Sequence, residues 1–206
     1  MDKSATSLRS FIFIDQLQPR TMAYLGYIIR GFLPRSEMSA VIIEVAPGLA
    51  VEGLLDIALK KVDVRPGILV VERHFGYLEL HSRSTAAVKA AASEILAEVG
   101  ANENDAMKPE ITASTIITKV DPYHSFMINR NRSGYLCLPG ETVFVLECAP
   151  AAYAILAANE AEKVADVKIV ECRLMGAAGR LYLSGTDSDI RMAANAAEDV
   201  LRRLGQ

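Results

Sequence analysis

The stretch Val41-Ile42-Ile43-Glu44-Val45-Ala46-Pro47 returns 103 residues later as Phe144-Val145-Leu146-Glu147-Cys148-Ala149-Pro150. Each time an apolar run ends in Glu-x-Ala-Pro. A short continuous apolar run stopped by proline reads as a strand buried on both faces. The same offset of 103 sets residues 8–80 against 111–183 without a gap. Identical pairs include Pro19/Pro122, Gly31/Gly134, Ala58/Ala161, Lys60/Lys163, Asp63/Asp166, Gly76/Gly179 and Leu80/Leu183. Self-similarity at a fixed offset makes the chain two copies of one α/β unit. Past Leu80 the offset drifts to 105, with Gly100 facing Gly205, which puts a short insertion or deletion near 82–86. The domains expected are 1–104 and 105–206, joined through the polar segment 101–109.

Within the first copy, residues 10–15 alternate as a strand does. Pro19 opens a helical pattern carrying Met22, Leu25, Ile28, Ile29 and Phe32 on one face, closed by Gly31 and Pro34. Residues 40–45 form a strand and 51–61 a helix whose apolar side is Leu54, Leu55, Ala58 and Leu59. Residues 68–72 read as a buried strand and 76–80 as its antiparallel successor. An alanine-rich helix at 86–99 ends at Gly100. The second copy predicts strands at 112–117, 142–148, 167–173 and 180–184, and helices at 151–164 and 190–204.

Composition narrows the function. The chain has 206 residues, 51% hydrophobic and 23% charged, which is ample for two cores. A net charge of −3 argues against broad attraction to nucleic acid or an anionic membrane. No apolar run approaches the roughly 18 residues of a transmembrane helix. Met1-Asp2-Lys3-Ser4 lacks the charged-then-apolar pattern of a signal peptide, so a cytoplasmic protein is expected. Cys137, Cys148 and Cys172 lie in apolar segments and fit reduced, buried small hydrophobes. His81 and His124 have no second ligand at metal spacing, so neither a metal nor a cofactor is expected. There is no phosphate-loop or dinucleotide fingerprint. Glu44 and Glu147 are paired by the repeat rather than by nearness, and suit holding backbone donors or a subunit contact better than acid–base work.

The copies diverge most in chemistry at one place. Between matched strands, Glu72-Arg73-His74-Phe75-Gly76 in the first faces Met175-Gly176-Ala177-Ala178-Gly179 in the second. One loop is bulky and charged, the other small and neutral. A second divergence is Asn129-Arg130-Asn131-Arg132, which stands where the first copy has an apolar stretch. Arg130, Arg132, Asn129 and Asn131 are too polar for a core helix face. They suit either contacts to an anion or a solvated helix end.

The unit of residues 44–47, 58–60 and 63–65, recurring at 147–150, 161–163 and 166–168, resembles the bacterial microcompartment shell domain. The strand and helix at the front of each copy resemble its circularly permuted form. Residues 8–18, 41–48, 70–76 and 153–163 resemble the gated, double-stacking trimers of carboxysome shells. The resemblance implies an α/β fold (α+β, related to ferredoxin-like folds) with two permuted domains, each an antiparallel-rich sheet carrying helices. It implies a homotrimer forming a pseudohexagonal tile, two tiles stacked face to face, and other shell proteins as lateral partners. It also implies location in the shell of a cytoplasmic microcompartment, with no enzymatic activity. By position the pore loops are Glu72, Arg73, His74, Phe75 and Gly76 from one copy and Met175, Gly176 and Ala177 from the other. In the gated family a Glu-Arg pair at this tip opens and closes the pore, and phosphorylated metabolites pass. Lys60 and Lys163 take the tile-edge position. The alternative function is a trimeric metabolite-binding or sensing protein without transport. An enzyme at a subunit interface is a third reading.

Overall fold

The computed structural model describes residues 6–206, so Met1-Asp2-Lys3-Ser4 lies outside the described residues. The chain divides after Met107 into two compact units. In the first, the elements run β1 (Ser7–Ile14), α1 (Pro19–Ile28), β2 (Ser39–Ala46), α2 (Ala50–Lys61), β3 (Arg65–Glu72), β4 (Phe75–Ser82) and α3 (Thr85–Val99). The second repeats them as β5 (Glu110–Ile117), α4 (Pro122–Arg130), β6 (Thr142–Ala149), α5 (Tyr153–Val164), β7 (Lys168–Arg173), β8 (Gly179–Gly185) and α6 (Asp187–Gly205). Each unit holds a four-stranded antiparallel sheet, ordered β1-β2-β4-β3 and β5-β6-β8-β7.

The central strand β2 is buried along both faces, which is why its sequence is a continuous apolar run rather than an alternating one. Val41, Ile43 and Val45 point to one side with Leu78 and Leu80 of β4. There they pack against Val51, Leu54 and Ala58 of α2 and Val88, Ala91, Ile95 and Val99 of α3. The alanines let α3 approach the sheet closely. Ser84 caps this helix, its hydroxyl accepting from the Ala87 N–H, and Gly100 closes it at φ 75°. Ala40, Ile42, Tyr77 and Ile12 face the other way and are buried as well.

Two elements differ from what periodicity alone suggests. α1 stops at Ile28 instead of continuing toward Phe32. Beyond it the backbone turns extended, and the Gly31 and Phe32 N–H groups donate to the Gly67 and Pro66 carbonyls on β3. Those bonds replace the helical ones, and Phe32 is left 55% exposed. β3 is not a buried strand. It is the sheet edge, paired with β4 alone along most of its length, so Leu69, Val71 and Glu72 face solvent in the single chain.

The repeat is more regular than the sequence offset implied. Buried Val88, Ala91, Ala92, Ile95 and Val99 of α3 correspond to buried Ile190, Ala193, Ala194, Ala197 and Leu201 of α6, an offset of 102 throughout. The second copy therefore loses one residue before its last helix, which then extends further. Matching Gly100 to Gly205 aligned two helix ends that are not equivalent.

Candidate functional site

The β3–β4 connection is a two-residue turn, Arg73 and His74, with Arg73 in the left-handed region at φ 56°. Holding a non-glycine residue there is unfavourable, and it presents the Arg73 side chain outward. Glu72, Arg73 and His74 are exposed and Phe75 is half-buried. Arg73 Nε lies 3.6 Å from Glu72 Oε1, with the two side chains 87% and 48% exposed. That separation exceeds a hydrogen bond, and an ion pair this solvated holds its partners weakly. The tip is free to re-pair.

Its base is held firmly. Arg9 of β1 donates from Nε to Glu44 Oε1 at 2.6 Å and lays its guanidinium 3.8 Å from the centroid of the Phe75 ring. The Glu44 carboxylate is fully buried. One arginine thus joins the central strand to the first residue after the turn. Arg9 is a residue that sequence reasoning missed, since a lone arginine in a strand carries no motif. Glu44 takes this arginine on Oε1. Behind the turn, a Cβ on Gly76 would stand 2.2 Å from the Gly48 carbonyl oxygen, and one on Gly179 would stand 2.2 Å from that of Ala151. Both copies need glycine here because the β2–α2 and β6–α5 turns press against the start of the last strand.

The second copy builds its loop differently. β7 ends at Arg173 and β8 begins at Gly179, so residues 174–178 form the connection. Leu174 is buried, Met175 and Gly176 are partly buried, and Ala177 is exposed; Gly176 adopts φ 113°. The counterpart acid, Glu147, accepts from Arg180 at 2.6 Å and from Thr112 at 3.3 Å. The Arg180 hydrogen bond holds the Glu147 carboxyl below the usual carboxylate range. The repeat keeps the acid while the cation moves from β1 to β8.

Lys60 and Lys163 sit in the last turns of α2 and α5. Lys60 pairs with Asp56 at 2.6 Å and Lys163 with Glu160 at 2.5 Å, both on the surface. Asn129 is engaged within the chain. Its amide donates to the Cys137 carbonyl at 2.7 Å and accepts from the Cys137 N–H at 2.9 Å, which ties α4 to the loop after it. Arg130 and Asn131 are exposed and Arg132 is partly buried, its Nε without a hydrogen-bond partner. Tyr123, Phe126 and Met127 on the same helix are more than half exposed, an apolar patch of the kind that assembly covers.

All three cysteines are buried thiols. Burial pushes Cys148 up to about 12 and raises Cys137 and Cys172. They stay protonated and are poor nucleophiles. No helix among the described residues is long and apolar enough to cross a membrane.

Two copies of one sheet unit, each ending a hairpin in a different loop and leaving apolar surface uncovered, define a repeat-built protein with surface of the kind that assembly covers. Residues 8–105 match the family model "CsoS1D N-terminal domain", and residues 143–206 match "BMC domain". The chain is 42% identical to the carboxysome shell protein CcmP of Synechococcus elongatus over 96% of its length and 92% of that protein. It is 45% identical to the carboxysome shell protein CsoS1D of Hydrogenovibrio crunogenus, over 96% of its length and 97% of that protein. Among solved structures, the fused permuted hexameric shell protein MSM0275 from the RMM microcompartment superposes with a TM-score of 0.95 at 60% identity, over 97% and 98% of the two chains. The double-ringed trimeric shell protein MSM0271 from the same microcompartment gives 0.92 at 40% identity, over 96% and 97%. The chain belongs to the family of tandem, permuted bacterial microcompartment shell proteins that includes CcmP and CsoS1D. It is a structural protein of a microcompartment shell that assembles with shell proteins, and not an enzyme.

Proposed function

We propose that three copies form a pseudohexagonal tile whose central opening is gated by Glu72 and Arg73. The observation that carries this reading is the asymmetry between the loops: a charged, loosely paired tip in one copy, and a small neutral loop at the matching position of the other. Around a threefold axis the two kinds alternate. The charged tips act and the small loops, Met175 to Ala177, leave room for them. Pairing Glu72 of one subunit with Arg73 of the next fills the hole and cancels charge. Breaking the pairs exposes three guanidiniums, which favour phosphorylated metabolites because their planar forks match phosphate. The weak 3.6 Å pair supports such a two-state tip, since little must be broken to rearrange it.

Replacing both residues, Glu72→Ala with Arg73→Ala, is expected to abolish the closed state. Three chains of 22.3 kDa give a trimer of about 67 kDa, which should persist in light scattering. Images of assembled tiles should show only open centres. A sealed centre in the variant sinks the gate.

The compartment served is a finer matter. Relatives at 42% and 45% identity carry carboxysome names, while the structure at 60% identity comes from an RMM microcompartment. A shell role is common to both, and passage of phosphorylated metabolites is the reading proposed for this chain. Stacking of two tiles is part of the same proposal, and a mass near 134 kDa, six chains of 22.3 kDa, would report it. Lys60 and Lys163 are proposed to meet neighbouring tiles by their side-chain stems. Lys60→Ala with Lys163→Ala should remove ordered layers in electron micrographs while leaving trimer mass and melting temperature unchanged. Solvated helix pairs are worth only about 0.3–0.5 kcal/mol, so lost stability would not explain lost layers. Layers that persist in this variant assign the edge elsewhere.

A further inference from the structure

Glu79 and His81 lie side by side on β4, buried to 0% and 1% exposure. His81 Nδ1 is 3.0 Å from Glu79 Oε1. The carboxylate fits over the bulge at Gly67, where any Cβ would stand 2.2 Å from Glu79 Oε2. The other ring nitrogen of His81, Nε2, is buried and has no hydrogen-bond partner. Fold alone does not demand this pair. At the same positions the second copy has Tyr182 and Ser184. A buried ionisable pair with an orphaned nitrogen lowers stability, so an apolar replacement would serve a purely structural purpose better.

His81 lines a cavity of about 400 Å³ together with Arg35, Arg65, Arg83, Met38 and Asp63. Among the described residues, none of the three arginines has a carboxylate within ion-pair distance. Arg65 carries its guanidinium over the Phe32 ring, 5.6 Å from the centroid. The repeat supplies the contrast. Lys168 occupies the position of Arg65, and Glu141 that of Met38. Lys168 Nζ is bound to Glu141 at 2.6 Å and to the Leu136 carbonyl at 2.9 Å. The second copy neutralises its cation internally and the first does not. Three guanidiniums against the single carboxylate of Asp63 leave the first cavity positive.

We propose that this cavity binds a small phosphate-bearing metabolite, with Arg35, Arg65 and Arg83 holding the phosphate and His81 Nε2 donating from the buried wall. In the arrangement with no net charge on the Glu79–His81 pair, one proton is shared between Glu79 and Nδ1, and Nε2 bears hydrogen and is a donor. Glu79 is drawn toward that state, because burial raises its carboxyl above the usual range. A cavity of about 400 Å³ lies at the small end of ligand pockets, so it suits a compact phosphate ester rather than a nucleotide. The site lies at the opposite end of the β3–β4 hairpin from Glu72 and Arg73, about 20 Å away along the strand. It is therefore a second anion site, and it stands or falls independently of the gate.

Calorimetric titration of the assembled full chain with inorganic phosphate and with glycerol phosphate tests this. Saturable binding at one site per chain is expected, with the ester at least as tight as the ion. The exposed pair Arg35→Ala with Arg83→Ala should weaken it about tenfold or more. His81→Gln should weaken it with little change in melting temperature; if that variant does not fold, the arginine pair alone decides. Glu72→Ala with Arg73→Ala should leave binding intact, whatever happens at the pore. Absence of heat up to about 10 mM ligand, weaker than any specific metabolite site needs, overturns the proposal, as does binding indifferent to the arginine pair.

Discussion

Replacing Gly76 with alanine is expected to destabilise the first unit by about 3 kcal/mol or more, although it adds one methyl group. The added carbon would lie 2.2 Å from the Gly48 carbonyl oxygen and 2.6 Å from Val51 Cγ1. The first of these is backbone, in a turn that leads into α2, and cannot swing aside. Relief requires β4 to move off β2 just where the β3–β4 turn begins. Alanine recovers some stability by restricting the unfolded chain, but only about 0.4–1 kcal/mol, so strain wins. A melting temperature lower by about 10–20 °C is the expected reading for a unit of this size. Gly179→Ala should behave alike in the second unit, its carbon meeting the Ala151 carbonyl oxygen at 2.2 Å. A shift below about 2 °C in both variants would mean that these turns yield freely and do not hold the base of the loop.

Arg9→Ala is expected to cost about 3 kcal/mol, because it strips the 2.6 Å cation from a carboxylate that is fully buried. Loss of the stacking over Phe75 adds to this by up to about 1 kcal/mol. The functional consequence is local. With Phe75 released, amide exchange at Glu72 to Phe75 should accelerate relative to the rest of β4. Adding Glu44→Gln should recover part of the lost stability, and the non-additivity measures the pair. Arg180→Ala, which removes the cation from the partly exposed Glu147, should cost much less. Equal losses from Arg9→Ala and Arg180→Ala would show that burial of the acid is not what makes Arg9 important.

Sequence periodicity was most reliable where one physical demand dominates. The run 40–45 could only be a central strand, and the alanine-rich pattern at 86–99 could only be a helix packed closely on a sheet. It failed at α1, where backbone donors at Gly31 and Phe32 found acceptors on β3. It failed again at β3, whose apolar residues suggested burial although the strand is an edge. Apolar composition does not distinguish a strand covered within its own chain from one left for a neighbour.

The loops show the same division. The contrast between Glu72-Arg73-His74-Phe75 and Met175-Gly176-Ala177-Ala178 is visible in the repeat and needs no coordinates. What anchors the first loop is not visible, because Arg9, Glu44 and Phe75 are 66 residues apart from end to end and meet only when β1, β2 and β4 form one sheet. The Glu79–His81 pair was likewise unreadable: two residues apart in a strand means a shared face, but not whether that face is wet. By itself the sequence determined the tandem repeat, the order of its elements and the asymmetry of the two hairpin tips, since these follow from local pattern and internal comparison. Only the tertiary structure decided which charges are buried, which are paired and which face an open cavity, because burial and pairing are set by residues brought together across the sheet.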